Sequence, residues 1–230
     1  FIFIFIFIFI FIFIFRFIYK IEVFIYIILM IHTSMNSQNN SSYLEIILGG
    51  MYAGKTSRLV EIYKQCVFCN ITVAVINHSI DIRYDDLDNE FLSTHDQIKI
   101  PCIKTNLLFD TMAHGHDNIF NSKLSILSRQ VILINEGQFF PDLEEFVKLL
   151  LTQRKHIYVC GLDGDFERKK FGQIIDLIPL CDKVTKLTSL CSICKNGTPG
   201  IFSKRISTET KQTVVGSDNY IPVCRNCYLK

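Results

Sequence analysis

A glycine-rich loop between an apolar run and an amphipathic segment constrains this chain more than any other feature. Residues 49–56 fit the pattern G-x-x-x-x-G-K-[ST], follow the apolar run 44–48 and precede a segment with helical periodicity. The order strand, loop, helix suits a phosphate-binding P-loop, because backbone N–H groups and the helix N-terminus then face phosphate oxygens. The sequence therefore predicts a nucleoside triphosphate site and leaves the phosphate acceptor open.

The loop supplies most of the predicted nucleotide-binding residues. They are Gly49, Gly50, Met51, Tyr52, Ala53, Gly54, Lys55 and Thr56. In a P-loop the lysine, here Lys55, reaches the β- and γ-phosphates, and the hydroxyl at the next position, here Thr56, ligates Mg²⁺. ATP and Mg²⁺ are therefore the expected nucleotide and ion.

Composition narrows the class of protein. With 230 residues, the chain has room for one large domain with or without a small lobe. Its 24 basic and 22 acidic residues are scattered and nearly balanced, which favours no nucleic-acid partner. Nine cysteines indicate either disulfides or a metal site, and the P-loop favours reduced thiols in the cytoplasm.

Residues 1–42 are expected to lie outside the fold. Residues 1–15 alternate strictly between Phe and Ile, and basic residues then interrupt the apolar tract. Such alternation makes a poor membrane helix, and the tract lacks the marks of a signal peptide. We interpret the repeat as translated AT-rich sequence upstream of a start at Met30 or Met35. A disordered or membrane-associating extension is the alternative.

Residues 43–183 alternate between strand and helix patterns. Runs of β-branched and apolar residues at 71–76, 131–134 and 156–160 are typical of strands buried on both faces. A helical pattern over 143–151 separates the last two. The sequence predicts an α/β kinase domain of the P-loop NTPase type, a mostly parallel sheet with helices on both faces. Ligands bind such sheets at the carboxyl ends of the strands.

Two polar residues follow the apolar run 131–134 and resemble the end of a Walker B strand. Asn135 occupies the position where an aspartate usually stands near Mg²⁺, and an amide oxygen there brings no charge. Glu136 comes next and is placed to act as general base for an acceptor hydroxyl. A structural carboxylate at the strand end is the alternative interpretation of Glu136.

Four cysteines mark a small C-terminal lobe over residues 184–230. They form two C-x-x-C pairs separated by 29 residues, namely Cys191, Cys194, Cys224 and Cys227. Four thiolates in such pairs suit tetrahedral structural Zn²⁺, and the ion would fix both ends of a long loop. Unrelated thiols or disulfides are the alternative.

These features, in this order, resemble the type II thymidine kinases, the human-cytosolic and poxviral type, from residue 44 to Lys230. Further landmarks of the resemblance lie at 81–84, 94–96, 136–141, 161–172, 186–191, 204–205 and 216–224. The resemblance implies transfer of the ATP γ-phosphate to the 5′-hydroxyl of thymidine, giving dTMP in pyrimidine deoxynucleotide salvage. Deoxyuridine is the implied secondary acceptor, dTTP the implied feedback inhibitor, and a homotetramer the implied assembly.

The resemblance also assigns roles to residues. It makes Glu136 the catalytic base. It extends the nucleotide site to Asp81, Arg83, Asn135 and Gln138. It places an apolar thymine pocket at Met51, Leu162, Phe166 and Phe171. It makes the segment between the cysteine pairs a lasso loop that closes over the nucleoside through Lys211, Gln212, Thr213, Val214, Val215 and Tyr220.

Two positions depart from the family pattern. Asn135 replaces the usual aspartate. Val215 replaces a usual glycine, and valine disfavours positive φ, so we expect either a stiffer lasso or a backbone at 215 outside the left-handed region. The rival interpretations are another P-loop deoxynucleoside kinase, a zinc-ribbon nucleic-acid-binding ATPase, and an impaired homologue that only binds ligand. The paired cysteines argue against the first, the near-neutral charge against the second, and the intact Lys55 and Glu136 against the third.

Overall fold

The structure is a computed structural model that describes residues 41–81, 91–94, 96–113, 126–214, 216 and 219–230. Residues Ser41–Lys230 group into one compact unit. The predictions made for residues 1–40, for Arg83 and for Val215 lie outside the described residues.

The described elements alternate between strands and helices along the chain. The strands are β1 (Tyr43–Gly49), β2 (Val73–His78), β3 (Phe91–Ser93), β4 (Lys99–Pro101), β5 (Ile103–Thr105), β6 (Val131–Asn135), β7 (His156–Gly161), β8 (Lys183–Leu187), β9 (Ser189–Leu190), β10 (Pro199–Gly200), β11 (Phe202–Arg205) and β12 (Tyr220–Val223). The α-helices are α1 (Lys55–Phe68), α2 (Asp110–Ala113), α3 (Leu143–Thr152) and α4 (Arg225–Leu229). Three 3₁₀ segments cover Ile126–Ser128, Gly137–Phe139 and Ile174–Leu180.

Six parallel strands form the main sheet in the order β5-β2-β6-β7-β1-β8. Every residue of β6 is buried, as a strand covered on both faces requires. The predicted mostly parallel sheet is therefore confirmed. Strand β2 begins at Val73 rather than at the predicted residue 71, because the Ile71 N–H donates to the Cys66 carbonyl and closes the end of α1.

Helices cover both faces of this sheet. Successive strand residues point to opposite faces, and Leu44, Ile46 and Leu48 of β1 share one core with the buried face of α3. Helix α1 contacts β6 and β7, and its own buried residues take no part in that core. Helix α1 therefore packs on the opposite face, which leaves its N-terminus at the carboxyl edge of the sheet.

The C-terminal residues form short antiparallel ribbons. Strand β9 pairs with β10, β11 pairs with β12, and α4 follows. Their small core consists of Val223 and three buried cysteines, Cys191, Cys224 and Cys227. Across the described ranges, no helix combines the length and the apolar character that crossing a bilayer demands.

Candidate active site

The P-loop connects β1 to α1 at the carboxyl edge of the sheet. Gly54 precedes the helix with φ 81° and ψ 17°, a left-handed conformation in which glycine avoids the penalty of a side chain. The Arg58 N–H makes the first helical bond to the Gly54 carbonyl. The first turn of α1 carries no acidic side chain, so its N-terminus offers backbone N–H groups and positive potential to an anion.

Two hydrogen bonds hold this loop. The Lys55 ammonium donates to the Gly50 carbonyl over 2.8 Å. The Met51 N–H donates to Ser203 Oγ over 2.9 Å, and Ser203 belongs to β11. The P-loop is thereby attached directly to the C-terminal ribbons.

Glu136 follows β6 directly and faces the same edge of the sheet. Its backbone lies in the left-handed region, with φ 54° and ψ 41°. A residue other than glycine pays on the order of 1–3 kcal/mol there, and such strain is concentrated at functional sites. Only 8% of Glu136 is exposed, so the carboxylate is largely shielded from water.

Gln138 holds the Glu136 carboxylate. Its Nε2 donates to Glu136 Oε2 over 2.6 Å, and its Oε1 accepts from the Leu162 N–H over 2.9 Å. A Cβ on Gly161 would lie 2.3 Å from Gln138 Oε1, and one on Gly172 would lie 2.0 Å from the Gln138 carbonyl. Gly161 of β7 therefore lets the strand close on the Gln138 side chain, and Gly172 lets the later loop close on the Gln138 backbone.

One cleft of about 1010 Å³, counted with its volume open to solvent, brings together segments that are distant in sequence. Of the residues predicted for the site, it is lined by Met51, Tyr52, Ala53, Gly54, Lys55, Thr56, Asp81, Glu136, Leu162, Phe166, Phe171, Gln212, Thr213, Val214 and Tyr220. The P-loop, the strand-end carboxylate and the lasso segment thus share one solvent-accessible space.

Among the described residues predicted for the nucleotide and nucleoside sites, five do not line the cleft. They are Gly49, Gly50, Asn135, Gln138 and Lys211. Gln138 instead contacts Glu136, as described above. Asn135 is 1% exposed and bonds to neighbouring strands, with its Nδ2 donating to Asn77 Oδ1 over 2.9 Å and its Oδ1 accepting from the Cys160 thiol.

The cleft also contains residues to which the sequence alone gave no role. Phe139 packs edge-on against Phe171 with ring centroids 5.4 Å apart, so it extends the apolar wall. Asp165 lines the cleft, and its Oδ2 accepts from Gln212 Nε2 over 2.8 Å. Asp165 lies within the landmark 161–172, but nothing in the pattern indicated that its partner would be a lasso residue.

Arg205 organises the lasso segment. Its Nη1 donates to the carbonyls of Glu209 and Lys211, and its Nη2 donates to the Gln212 carbonyl and to the Tyr220 hydroxyl. Its guanidinium also lies 3.6 Å from the centroid of the Phe166 ring. The planar, five-donor guanidinium suits this task, since one side chain fixes several carbonyls in a single geometry.

The four cysteines of the two C-x-x-C pairs converge, with all four sulfurs within 4.8 Å of one another. The Cys194 sulfur lies 3.7 Å from that of Cys224 and 3.4 Å from that of Cys227. Tetrahedral zinc with Zn–S bonds of about 2.3 Å places its sulfurs about 3.8 Å apart, so the cluster fits such an ion. All nine cysteines of the chain are free thiols.

The electrostatics of the cluster favour a cation. The Cys194 N–H donates to the Cys191 sulfur and lowers the pKa of Cys191 to about 6. Hydrogen bonds to the Cys227 and Cys224 sulfurs raise the pKa of Cys194 to about 12. The Cys194 thiol therefore resists becoming a thiolate unless a positive ion neutralises the cluster.

A P-loop and a buried strand-end carboxylate that share one cleft, beside a four-cysteine cluster, define a P-loop phosphotransferase. The sequence model of the family described as thymidine kinase matches residues 42–228. The chain belongs to the thymidine kinase family.

Several curated relatives carry the same name. Thymidine kinase 1 of Dictyostelium discoideum is 38% identical over 189 residues, which cover 80% of this chain and 77% of that protein. The thymidine kinase of Yaba monkey tumor virus is 39% identical over 197 residues, covering 85% and 98%. That of Choristoneura fumiferana entomopoxvirus is 41% identical over 194 residues, covering 80% and 95%. The family expected from the sequence is therefore confirmed.

Proposed function

We propose that this protein transfers the γ-phosphate of ATP to the 5′-hydroxyl of thymidine and releases dTMP and ADP. Family membership supports a nucleoside kinase. One observation favours direct transfer between two bound substrates: the P-loop, Glu136 and the lasso segment line the same cleft. Deoxyuridine, which lacks only the ring methyl of thymidine, is the proposed secondary acceptor.

The P-loop and its neighbours form the proposed ATP side of the cleft. Backbone N–H groups of residues 49–54 and the N-terminus of α1 face the phosphates, and Lys55 neutralises their charge once it exchanges the Gly50 carbonyl for phosphate oxygens. Thr56 and Asp81 offer a hydroxyl and a carboxylate oxygen, donors that suit Mg²⁺. Mg²⁺ held by these groups would neutralise charge that develops on the transferring phosphate. We assign Arg83 to the same site from the family resemblance.

Glu136 is the proposed general base. The Gln138 amide, which donates to Oε2, holds the carboxylate that is proposed to receive the proton. Glu136 takes the proton of the 5′-hydroxyl while that oxygen forms a bond to the γ-phosphorus. The bond between the γ-phosphorus and the bridging oxygen breaks, and ADP leaves with its electrons.

The proposed nucleoside pocket has apolar walls and a polar rim. Met51, Leu162, Phe166 and Phe171 enclose the thymine ring, and main-chain groups of 211–215 with Tyr220 bond its polar edge. A site that hydrogen-bonds both imide edges of thymine leaves buried groups unpaired against cytosine, which disfavours deoxycytidine.

Zn²⁺ is the proposed occupant of the four-cysteine cluster. The cysteine pairs bracket the lasso, and Arg205 ties the lasso to the wall of the cleft. The ion would therefore fix the base of a loop whose tip contacts the nucleoside. Family resemblance extends the proposal to feedback inhibition by dTTP, to a homotetramer and to the cytoplasm.

A phosphotransfer assay tests the proposal. Purified protein with ATP and Mg²⁺ is offered thymidine, deoxyuridine, deoxycytidine or deoxyguanosine, and the nucleoside monophosphate is measured. We expect thymidine to give the highest kcat/KM, and we expect Glu136→Gln to lower kcat about 10²–10⁴-fold. Glu145→Gln, which removes an exposed carboxylate on α3, serves as the control with unchanged activity. Preference for another nucleoside, or full activity of Glu136→Gln, would contradict the proposal.

A further inference from the structure

Two buried asparagines lie side by side at the carboxyl edge of the main sheet. Asn77 of β2 and Asn135 of β6 are register partners in parallel strands, and each is 1% exposed. Their side chains join a chain of three hydrogen bonds. Asn77 Nδ2 donates to Asp81 Oδ2 over 3.1 Å, Asn135 Nδ2 donates to Asn77 Oδ1 over 2.9 Å, and the Cys160 thiol donates to Asn135 Oδ1 over 2.9 Å.

The chemistry of Asp81 fixes the direction of every bond in this chain. An ionised carboxylate only accepts hydrogen bonds, so Asn77 must turn its NH₂ group toward Asp81. The Asn77 carbonyl oxygen then faces position 135 and needs a donor there. Asparagine supplies that donor, and its own oxygen then faces the Cys160 thiol, which is a weak donor. Each of the two asparagine amides thus donates one hydrogen bond through its NH₂ group and accepts one through its oxygen.

Of the residues joined by these hydrogen bonds, Asp81 is the one that lines the cleft. We propose that Asn135 and Asn77 are positioning residues: Asn135 orients Asn77, and Asn77 holds the Asp81 carboxylate in its place beside the P-loop. The proposal rests on the proposed function, in which Asp81 works with Mg²⁺ and the phosphates. Asn135 therefore acts on the nucleotide site through two other side chains and not by contact with the ion.

This arrangement decides what an aspartate at position 135 would do. Restoring the family's aspartate there would not restore a metal site. A carboxylate at 135 would place an acceptor oxygen against Asn77 Oδ1, which is also an acceptor. At present Asn77 Oδ1 lies 2.9 Å from the donor Asn135 Nδ2. Asn77 would have to turn over, and its carbonyl oxygen would then face the Asp81 carboxylate. Leaving a buried polar group unpaired is costly, so Asn135→Asp is expected to disturb Asp81 and to destabilise the fold.

Binding of a non-hydrolysable ATP analogue, titrated with Mg²⁺, tests the link to the cleft. We expect Asn135→Asp to raise the Mg²⁺ concentration for half-maximal binding about 10–100-fold, the equivalent of one hydrogen bond to a charged group lost. Asn106→Asp, which adds the same charge at an exposed position, is the control and should match the unmodified protein. Analogue binding by Asn135→Asp at unchanged or lower Mg²⁺ would overturn the proposal.

Thermal unfolding of a double variant tests the direction of the bonds. Asp81→Asn alone keeps an acceptor for Asn77, so little change in Tm is expected. Asn135→Asp alone should lower Tm by about 4–8 °C. In the double variant Asp81→Asn/Asn135→Asp, the new amide at 81 donates to Asn77 and Asn77 donates to the new carboxylate at 135. The chain runs in the opposite direction with every partner present, so at least half of the lost Tm should return.

A double variant no more stable than Asn135→Asp alone would overturn the proposal. If Asn135→Asp alone yields no folded protein, recovery of folded protein by adding Asp81→Asn supports it, and failure to recover overturns it. The unfolding measurement needs no substrate. A protein that fails to phosphorylate thymidine would therefore contradict the proposed function and leave the unfolding result free to decide on the asparagine chain.

Discussion

The amide of Gln138 donates to the Glu136 carboxylate over 2.6 Å and, through its other end, accepts from the backbone of Leu162. The proposed base and the wall of the proposed thymine pocket are therefore connected through a single buried side chain. Since Gly161 closes on the end of that side chain and Gly172 closes on the Gln138 backbone, the amide has little room to move. Gln138 thus helps to fix the orientation of the Glu136 carboxylate.

Replacing this amide should affect the chemical step more than binding. We expect Gln138→Leu to lower kcat about 10–100-fold with a smaller change in the KM for thymidine, because the carboxylate loses its fixed orientation. Gln153→Leu, at an exposed position after α3, is the control. Steady-state kinetics measure the split. The double variant with Glu136→Gln should be no slower than Glu136→Gln alone, and additive losses would show that Gln138 acts elsewhere.

Arg205 should govern the affinity for the nucleoside and leave the nucleotide site unaffected. Arg205→Lys keeps the charge but loses the planar fork that fixes the carbonyls of Glu209, Lys211 and Gln212. We expect the KM for thymidine to rise about 10-fold while the KM for ATP stays within about twofold. Arg154→Lys is an exposed control. Equal changes in the two KM values would contradict a role confined to the lasso.

Removing the metal should release the lasso. Purified protein is expected to carry one zinc ion per chain, measured by elemental analysis. Cys194→Ser should abolish that zinc and weaken thymidine binding by at least about 10-fold, because the cysteine cluster fixes the loop's base. Binding of a non-hydrolysable ATP analogue should persist. Cys181→Ser, outside the cluster, should retain the metal, and a zinc-free but fully active protein would contradict this role.

The fold was predictable from sequence because its signals are local. A strand, a glycine-rich loop and a helix follow one another within residues 43–68, and the buried strands read as unbroken apolar runs. Each C-x-x-C pair is equally local, and the presence of two such pairs indicated one metal site although 29 residues separate them. Each of these signals can be recognised from residues that are close in sequence.

The hydrogen bonds that hold the site residues in place were not predictable from sequence, because they depend on tertiary contacts. Asn77 meets Asn135 only through the register of β2 against β6, and the two are separated by 58 residues. Gln138 looked like a nucleotide-binding residue, and only the approach of Gly161 shows that its amide is enclosed beside Glu136. The carbonyls that Arg205 binds depend on the path of a loop that no periodicity describes.

The stability of the fold should fall on acidification through a buried histidine. The ring of His78 packs against the rings of Phe139 and Phe140, and its Nδ1 accepts from the Ile80 N–H over 3.1 Å. Burial lowers the pKa of His78, and attraction to Glu136, Asp142 and Asp81 offsets that effect only in part. Nδ1 must be unprotonated to accept this bond, so the native state holds the neutral ring.

The sign of the effect follows from these states. The unfolded chain, in which a histidine has a pKa of about 6.5, binds the proton at a higher pH than the native state does. The contribution of the neutral His78 ring to the free energy of unfolding should therefore be fully present above about pH 6.5. It should decrease as the pH falls below that value. Burial likewise lowers the pKa of His156, so part of this loss has a second source.

His78→Asn isolates the contribution of His78. The asparagine Oδ1 can accept from the Ile80 N–H in place of Nδ1, and it does not titrate. Denaturant unfolding at pH 7.5 and at pH 5.5 should show a smaller loss of stability for His78→Asn than for the unmodified protein. His156→Gln should remove a separate part of the loss, since its ring packs against Tyr43 at the other end of the sheet. Equal losses in His78→Asn and the unmodified protein would show that His78 is not held neutral by the fold.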